Sequence, residues 1–303
     1  MRKLAIKSRG DKTETEHHGY LCLVKADGKL DKTLNDEFEF YVRSCIKPLQ
    51  AKISKSILAD ELSDKFLTLA VASQLAGKEQ LNILQSMLDK FQISETDLYC
   101  GLKSATNKDY LKSQIHHYCA GKHIALIAAA KKQGLSFDYY NPKHTLQQSI
   151  KAELERLSKQ SNIETSIDGC GLPTYYLSIA KLAQTFTQAS FEKEYQEIFT
   201  TVNKYPYLIS GPGRFDQELM TQFPNQFFAK SGADGMLVIT NLQNHETLVI
   251  KILDGEKRVK DIVAKKLLED LAWIKQDELK LDNKVYTSQG KAVGEITALS
   301  CFS

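Results

Sequence analysis

Met236-Leu-Val-Ile-Thr240 and Thr247-Leu-Val-Ile-Lys-Ile-Leu253 are two apolar runs rich in β-branched residues, and a short polar segment separates them. This composition and spacing predict a β-hairpin. The segments 285–287 and 292–297, on either side of Ser288-Gln-Gly290, predict another hairpin. Near the other end of the chain, the segment 20–25 reads as a strand that enters a turn at 26–29. Because an isolated hairpin is only marginally stable, we expect both chain ends to share one antiparallel sheet.

Other segments have apolar residues at helical spacing. The predicted helices are Asp60–Gln74, Lys78–Phe91, Gly121–Gln133, Pro142–Lys159, Leu172–Ala189, Phe191–Asn203 and Val259–Ile274. The predicted fold class is therefore α+β, with an antiparallel sheet built from both chain ends, helices packed on it and a helical middle region. We expect one domain over residues 1–303, with the sheet from about 1–45 and 205–303 and the helical region at about 50–204.

Composition excludes several classes of protein. The net charge of +3 is too small to indicate a nucleic-acid partner. The longest apolar run, at 124–130, is far shorter than the roughly 18 residues of a membrane span, so no membrane partner is expected. The first residues lack the apolar core of a secretory signal. Six cysteines without a CxxC pair argue against a disulfide framework, and the predicted location is the cytoplasm.

A serine followed three residues later by lysine places a hydroxyl group and an amine one helical turn apart, so that the amine can accept the hydroxyl proton. The spacing occurs four times, at Ser44/Lys47, Ser178/Lys181, Ser190/Lys193 and Ser288/Lys291. Ser44 stands out because Pro48, a residue that favours helix starts, follows Lys47. The alternative is that Ser44 is only a helix cap.

A lysine that acts as a base near neutral pH needs its pKa lowered by roughly 3 units, which costs about 4 kcal/mol. Burial together with a second cation can lower the pKa by that much. We therefore expect Lys47 to be enclosed, and Lys230, which lies between two phenylalanines and a glycine-rich segment, is the candidate second cation. The alternative for Lys230 is an ordinary loop lysine.

Two cysteines beside glycines, Cys119 and Cys170, are candidate metal ligands, because a thiolate is the metal-binding form of cysteine. With His123, four residues after Cys119, they would form a conventional zinc set. Lys122 could replace the histidine only in its deprotonated form. Buried, inert cysteines are the alternative. Asp168, two residues before Cys170, is either a turn former or a carboxylate that orients a substrate or a ligand.

Taken together, these segments resemble the L-asparaginase II family, the inducible, thermolabile type of bacterial asparaginase. The resemblance runs nearly from end to end. The matching segments are Glu14-Thr-Glu-His17-His-Gly19, Arg43-Ser44-Cys-Ile-Lys47-Pro48-Leu-Gln50, Ala72-Ser73, Cys119-Ala-Gly121-Lys122-His123, Asp168-Gly-Cys170-Gly-Leu-Pro173, Gly211-Pro-Gly-Arg214-Phe-Asp216, Lys230-Ser-Gly-Ala-Asp-Gly235 and Lys251-Ile-Leu-Asp254-Gly255. The chain departs from the family pattern directly after Ser73, where it continues with Gln74.

The resemblance implies a serine β-lactamase-like fold, a homodimer, and hydrolysis of L-asparagine to L-aspartate and ammonia. Two serine–lysine pairs face the substrate in that family. Carried over to this sequence, Ser44 pairs with Lys47 and Ser73 pairs with Lys230. We choose Ser44 as the nucleophile.

The resemblance also implies a zinc ion held by two cysteines and a lysine, which match Cys119, Lys122 and Cys170. His123 then becomes a neighbour of the metal rather than a ligand. The expected substrate-binding residues are Arg43, Asp168 and His123.

The leading hypothesis from the sequence is therefore an L-asparagine amidohydrolase that works through an acyl-enzyme. Two alternatives stay open: a serine hydrolase of another amide, a β-lactam or an ester, and a catalytically silent homologue that binds zinc or an amino acid.

Overall fold

The computed structural model describes residues 1–34, 37–104 and 112–300. The strands among these residues are β1 (Arg2–Arg9), β2 (Lys12–Val24), β3 (Leu30–Leu34), β4 (Glu39–Tyr41), β5 (Lys103–Ser104), β6 (Lys112–Ser113), β7 (Glu164–Ile167), β8 (Pro173–Ser178), β9 (Phe227–Ser231), β10 (Met236–Asn241), β11 (Glu246–Ile252), β12 (Lys284–Tyr286) and β13 (Ala292–Ala298). The α-helices are α1 (Lys47–Leu58), α2 (Asp64–Val71), α3 (Lys78–Phe91), α4 (Ala120–Lys132), α5 (Thr145–Ser158), α6 (Ile179–Ser190), α7 (Lys193–Lys204), α8 (Pro206–Ile209), α9 (Phe215–Gln222) and α10 (Lys257–Asp270). Single 3₁₀ turns lie at Arg43–Ile46, Ala59–Glu61 and Glu95–Asp97.

The main sheet is antiparallel and takes its strands from both chain ends, as predicted. Its order is β12-β13-β1-β2-β11-β10-β9, and β3 also pairs with β2. The predicted hairpins are confirmed as β10–β11 and β12–β13, and the strand near the N-terminus forms a hairpin with β3. The α+β fold class, with a helical middle region, is therefore confirmed.

Helices cover both faces of this sheet. Along β10 and β11, alternate side chains enter two different cores: Val238 and Val249 pack against the helical middle region, whereas Leu237 and Ile250 pack against α10. Because successive side chains of a strand point to opposite faces, a strand covered on both sides has apolar residues in succession. This explains the unbroken apolar runs at 236–239 and 248–250.

Two predicted helices are wrong in part. The helix predicted to begin at Pro142 begins at Thr145, where His144 Nδ1 caps it by accepting a hydrogen bond from the Leu146 amide at 3.2 Å. Asn141, which directly precedes the predicted start, accepts from the Lys143 amide in the preceding turn.

The predicted helix 172–189 contains strand β8 in its first part, and helix α6 starts only at Ile179. β8 pairs with the neighbouring strand β7 on one side and with β4, which is distant in sequence, on the other. Local periodicity does not reveal the pairing with β4. Ser178 caps α6 by accepting from the Lys181 amide, so this copy of the serine–lysine spacing is a helix cap.

Helices α2 and α4 meet backbone to backbone at Gly121. A Cβ atom added there would lie 2.2 Å from the Leu69 carbonyl oxygen, so only glycine permits this approach. Ser73 follows the end of α2, and Cys119 immediately precedes α4. The contact therefore positions two of the predicted site residues relative to each other. No helix in the described part of the chain is long and apolar enough to cross a membrane.

Candidate active site

A strained turn presents Ser44. Arg43 has a φ of +50°, in the left-handed region that costs a non-glycine residue about 1–3 kcal/mol. The chain turns here from β4 into the 3₁₀ turn and then into α1. Ser44 is half-buried and lines a cavity, and its hydroxyl group has no hydrogen-bond partner among the described residues.

Lys47 is fully buried at the start of α1. Its Nζ donates to the carbonyl oxygens of Ala72 and Tyr118 and lies 3.1 Å from Ser73 Oγ. Burial lowers the pKa of Lys47 from its ordinary value. The enclosure that a lysine base requires is present, but in this structure the amine contacts Ser73 and not Ser44.

Lys230 reaches the same hydroxyl group from β9. Its Nζ lies 3.0 Å from Ser73 Oγ and 2.8 Å from the Ser231 carbonyl oxygen. The lysine is fully buried, and burial lowers its pKa to about 8 although the Asp216 carboxylate, 3.9 Å away, opposes the shift. The Lys47 ammonium adds to the lowering.

The Ser73 hydroxyl group therefore lies between two buried amines. If both amines were protonated, two positive charges would share one desolvated site and the hydroxyl proton would have no acceptor on either side. If one amine is neutral, Ser73 donates to it and accepts from the other, and each group is satisfied. The arrangement favours a single proton shared along Lys47, Ser73 and Lys230.

The segment after Ser73 is held by two buried glutamines. Gln74 donates to the carbonyl oxygens of Ile115 and His117, at 3.1 and 2.6 Å. Gln80 accepts from the amides of the intervening loop and donates to the Ser210 carbonyl oxygen at 2.7 Å. The two glutamines therefore anchor the loop that follows Ser73, and Gln74 is the position at which the chain departs from the family pattern.

Two thiols and an amine meet at the start of α4. Cys119 and Cys170 lie close together, and the interaction between their thiols lowers the pKa of Cys119 and raises that of Cys170. Burial opposes the charge on Lys122, but the two sulfur atoms outweigh it and raise the pKa of its amine. The structure thus brings the three predicted zinc ligands together.

This cluster is the part of the site that could hold a metal. Among the described residues, no group of three or more histidine, cysteine, aspartate or glutamate side chains could do so. Two thiols that already favour one thiolate suit a soft ion such as zinc, with Lys122 as the nitrogen donor once it loses its proton.

His123 lies away from the cavity. Its ring is fully buried, Nδ1 lies 2.8 Å from the Tyr139 hydroxyl, and burial lowers its pKa well below the ordinary value. The described lining of the cavity does not include this ring, so the structure does not place His123 at a substrate contact.

The other two predicted substrate-binding residues form one wall of the cavity. The Arg43 guanidinium donates to Asp168 Oδ1 at 2.7 Å and also binds Asp234. Asp168 sits in the tight turn between β7 and β8, where Gly171 has a φ of +83°. Lys122 interacts with Asp168 and Lys251 with Asp234, so cations and carboxylates alternate along this wall.

The cavity has a volume of about 530 Å³, within the usual range for small-molecule sites. Its lining includes Ser44, Ser73, Cys119, Cys170 and Asp168. One opening therefore gives access to the serines, the thiols and the charged wall.

Sequence reasoning did not assign a role to several lining residues, namely Arg214, Asp216, Ser231, Asp234 and Lys260. All of them except Lys260 lie in the segments 211–216 and 230–235, which match the family pattern, so the family resemblance could have indicated them. Lys260 lies on α10 in an ordinary amphipathic pattern, and nothing in its sequence neighbourhood marks it.

A serine in contact with lysine amines at the wall of a cavity is typical of hydrolases in which a hydroxyl group attacks a carbonyl carbon. The model of the L-asparaginase II family matches residues 5–298. The chain therefore belongs to the L-asparaginase II family, a family of amide hydrolases.

Solved structures show more distant similarity. A β-lactamase from Mycobacterium bovis aligns with a TM-score of 0.46 and 10% identity, over 83% of this chain and 94% of that one. A β-lactamase from Sphaerobacter thermophilus gives 0.45 and 13%, over 86% and 92%. A peptidoglycan synthesis regulatory factor from Streptococcus pneumoniae gives 0.41 and 12%, over 92% and 88%. No curated protein matches the chain significantly.

Proposed function

We propose that this protein hydrolyses the side-chain amide of L-asparagine to L-aspartate and ammonia through an ester on Ser44. The observation that carries the proposal is the Ser73 hydroxyl group between two buried amines, 3.1 Å from Lys47 and 3.0 Å from Lys230, at the wall of the cavity that Ser44 also lines. The family supports amide hydrolysis. The direct test is the appearance of ammonia and L-aspartate from L-asparagine; binding without release would support the silent homologue instead.

In the first half of the reaction, the neutral Lys47 amine takes the proton of Ser44 and the hydroxyl oxygen attacks the amide carbon. Ser44 and Lys47 lie one turn apart, and the proposal requires the Ser44 hydroxyl group to turn toward an amine that contacts Ser73 in this structure. The carbon–nitrogen bond then breaks. The departing nitrogen receives the proton that Ser44 gave up, passed through Ser73 and Lys230, and leaves as ammonia.

In the second half, water attacks the ester carbon. One proton of the water goes to the amine system and from there to Ser44, and the hydroxyl group stays on the acyl carbon as the new carboxyl group of L-aspartate. The hydroxyl group of Ser44 and the neutral amine are restored, so that atoms and charges balance over the cycle.

Activity should rise with pH, because the proton relay needs an uncharged amine. The pKa of Lys230 is lowered to about 8, so the amine is mainly charged below that pH and mainly neutral above it. We expect kcat/KM for L-asparagine to increase between pH 6.5 and about 9 and then to level off. Circular dichroism at each pH checks that the fold is unchanged. A flat profile over this range would contradict the lysine relay.

We also propose zinc at Cys119, Lys122 and Cys170. Bound there, the ion would supply a positive charge at the cavity wall that can attract a substrate oxygen. Elemental analysis of the purified protein should find about one zinc per chain, and Cys170→Ser should lose it. Cys22→Ala, which removes a thiol from the main sheet, is the matched control. Equal zinc content in all three proteins would rule out this ligand set.

We also propose that the protein forms a homodimer and is located in the cytoplasm. Sedimentation of the purified protein tests the homodimer, and cell fractionation tests the cytoplasmic location.

A further inference from the structure

The cavity lining includes two cations, Lys260 and Arg214, that the proposed mechanism does not use. Lys260, in the first turn of α10, is only 5% exposed, yet it lines the cavity. Its Nζ donates to Ser231 Oγ at 2.9 Å, and Ser231 lines the cavity too. A buried ammonium needs a counter-ion or a full set of hydrogen-bond acceptors.

The neighbouring carboxylate forms an ion pair with this ammonium, but the geometry is poor for a hydrogen bond. Asp261 Oδ1 lies 3.0 Å from Lys260 Nζ and accepts no hydrogen bond in the described structure. Burial raises the pKa of Asp261 from its ordinary value, and the Lys260 ammonium opposes this shift. Asp216, the next carboxylate, already interacts with Lys230, Ser210 and the Ser231 amide.

Arg214 adds a second cation to the cavity lining. It is half-buried, it lines the cavity, and its guanidinium has no ion-pair partner among the described residues. Arg43 differs in this respect, because two carboxylates hold it. The cavity lining therefore includes an arginine without an ion-pair partner and a buried lysine that is hydrogen-bonded to Ser231, which also lines the cavity.

We propose that Arg214, Lys260 and Ser231 form the subsite for the α-carboxylate of a free amino-acid substrate. This inference rests on the proposed function and assigns an orientation within it. The carboxylate accepts from Lys260 and Ser231 and pairs with Arg214, a planar donor that suits a carboxylate. The α-ammonium group faces Asp168 and Asp234, and the side-chain amide is directed to the serines. The substrate class is then a zwitterionic α-amino acid with a terminal amide, and an asparagine inside a peptide chain, which has neither a free carboxylate nor a free amine, does not fit.

Two partial substrates separate the carboxylate from the rest of the molecule. Succinamate keeps the carboxylate and the amide of asparagine and lacks the amine. 3-Aminopropanamide keeps the amine and the amide and lacks the carboxylate. In Lys260→Met and in Arg214→Gln, kcat/KM for asparagine and succinamate should fall by about 10- to 100-fold, the size expected for a charged hydrogen bond. The value for 3-aminopropanamide should fall far less.

Lys266→Met is the matched control, because it removes a lysine of the same helix that pairs with Asp270 instead of facing the cavity. Equal losses for all three amides in the Lys260 and Arg214 variants would overturn the subsite.

Binding of L-aspartate, measured by calorimetry, tests the subsite without any turnover. Wild type and Lys266→Met should bind it, and both subsite variants should bind it at least about 10-fold more weakly. Wild type that binds L-aspartate but releases no ammonia would refute the hydrolase and leave the subsite supported. Equal binding by wild type and both subsite variants, or no binding by wild type, would refute the subsite even if asparagine is hydrolysed.

Discussion

Replacing Ser44 by alanine should reduce ammonia release from L-asparagine by about a thousandfold or more, because the acyl group then has no oxygen on which to form. Ser73→Ala should keep more activity than Ser44→Ala, since it breaks the proton path between Lys47 and Lys230 but leaves the attacking oxygen in place. Initial rates of the two variants, measured at saturating asparagine, give the comparison.

The same pair of variants decides between the two serines. Acid-quenched wild-type enzyme, digested and analysed by mass spectrometry, should carry an aspartyl group on the peptide that contains Ser44. Finding that group on the peptide with Ser73, together with the lower rate in Ser73→Ala, would reverse the assignment. Ser190→Ala is a suitable control, because Ser190 belongs to another copy of the same spacing and bonds within its own helix and to His245.

Replacing Lys230 by methionine should lower kcat/KM by about 100- to 1,000-fold, because Ser73 then keeps one amine partner and the proton has no exit toward the leaving group. Methionine has a similar length and fills the same space. The alkaline rise attributed to Lys230 should also disappear from the pH profile. Lys265→Met on α10, where the lysine pairs with Asp277 on the surface, controls for the loss of one positive charge.

Loss of stability has to be separated from loss of chemistry in this variant. Lys230→Met leaves the buried Asp216 with less opposing charge, and breaking a buried pair can cost up to about 3–5 kcal/mol. Adding Asp216→Asn should recover most of the thermal stability without recovering activity. Recovery of activity in the double variant would show that Lys230 serves the fold and not the reaction.

Most of the architecture could be predicted from the sequence, because hairpins and amphipathic helices leave local patterns of apolar and polar residues. Apolar runs with polar spacers predict the hairpins at both ends, and α3 was predicted with the bounds that the structure has, Lys78–Phe91. β8 was not accessible, because besides its hairpin partner β7 it pairs with β4, which comes from a distant part of the chain. The same holds for the left-handed turn at Arg43, which tertiary contacts maintain in a residue type that disfavours it.

The site was accessible only as a set of candidates. Spacing marked Ser44 and Lys47, and the family resemblance brought in Ser73 and Lys230. Spacing could not show that both lysines contact Ser73, since this depends on the depth of α1 and β9 in the core. Lys260 was missed because a lysine in the first turn of an amphipathic helix is ordinarily solvated, and only the packing of α10 against the sheet encloses it.

The missing side chain at Gly121 has a mechanical consequence. Because no side chain separates the backbone of α4 from the Leu69 carbonyl oxygen, a shift of either helix toward the other meets backbone atoms directly. We expect a ligand that tilts the thiol end of α4 to press on the end of α2 that leads into Ser73.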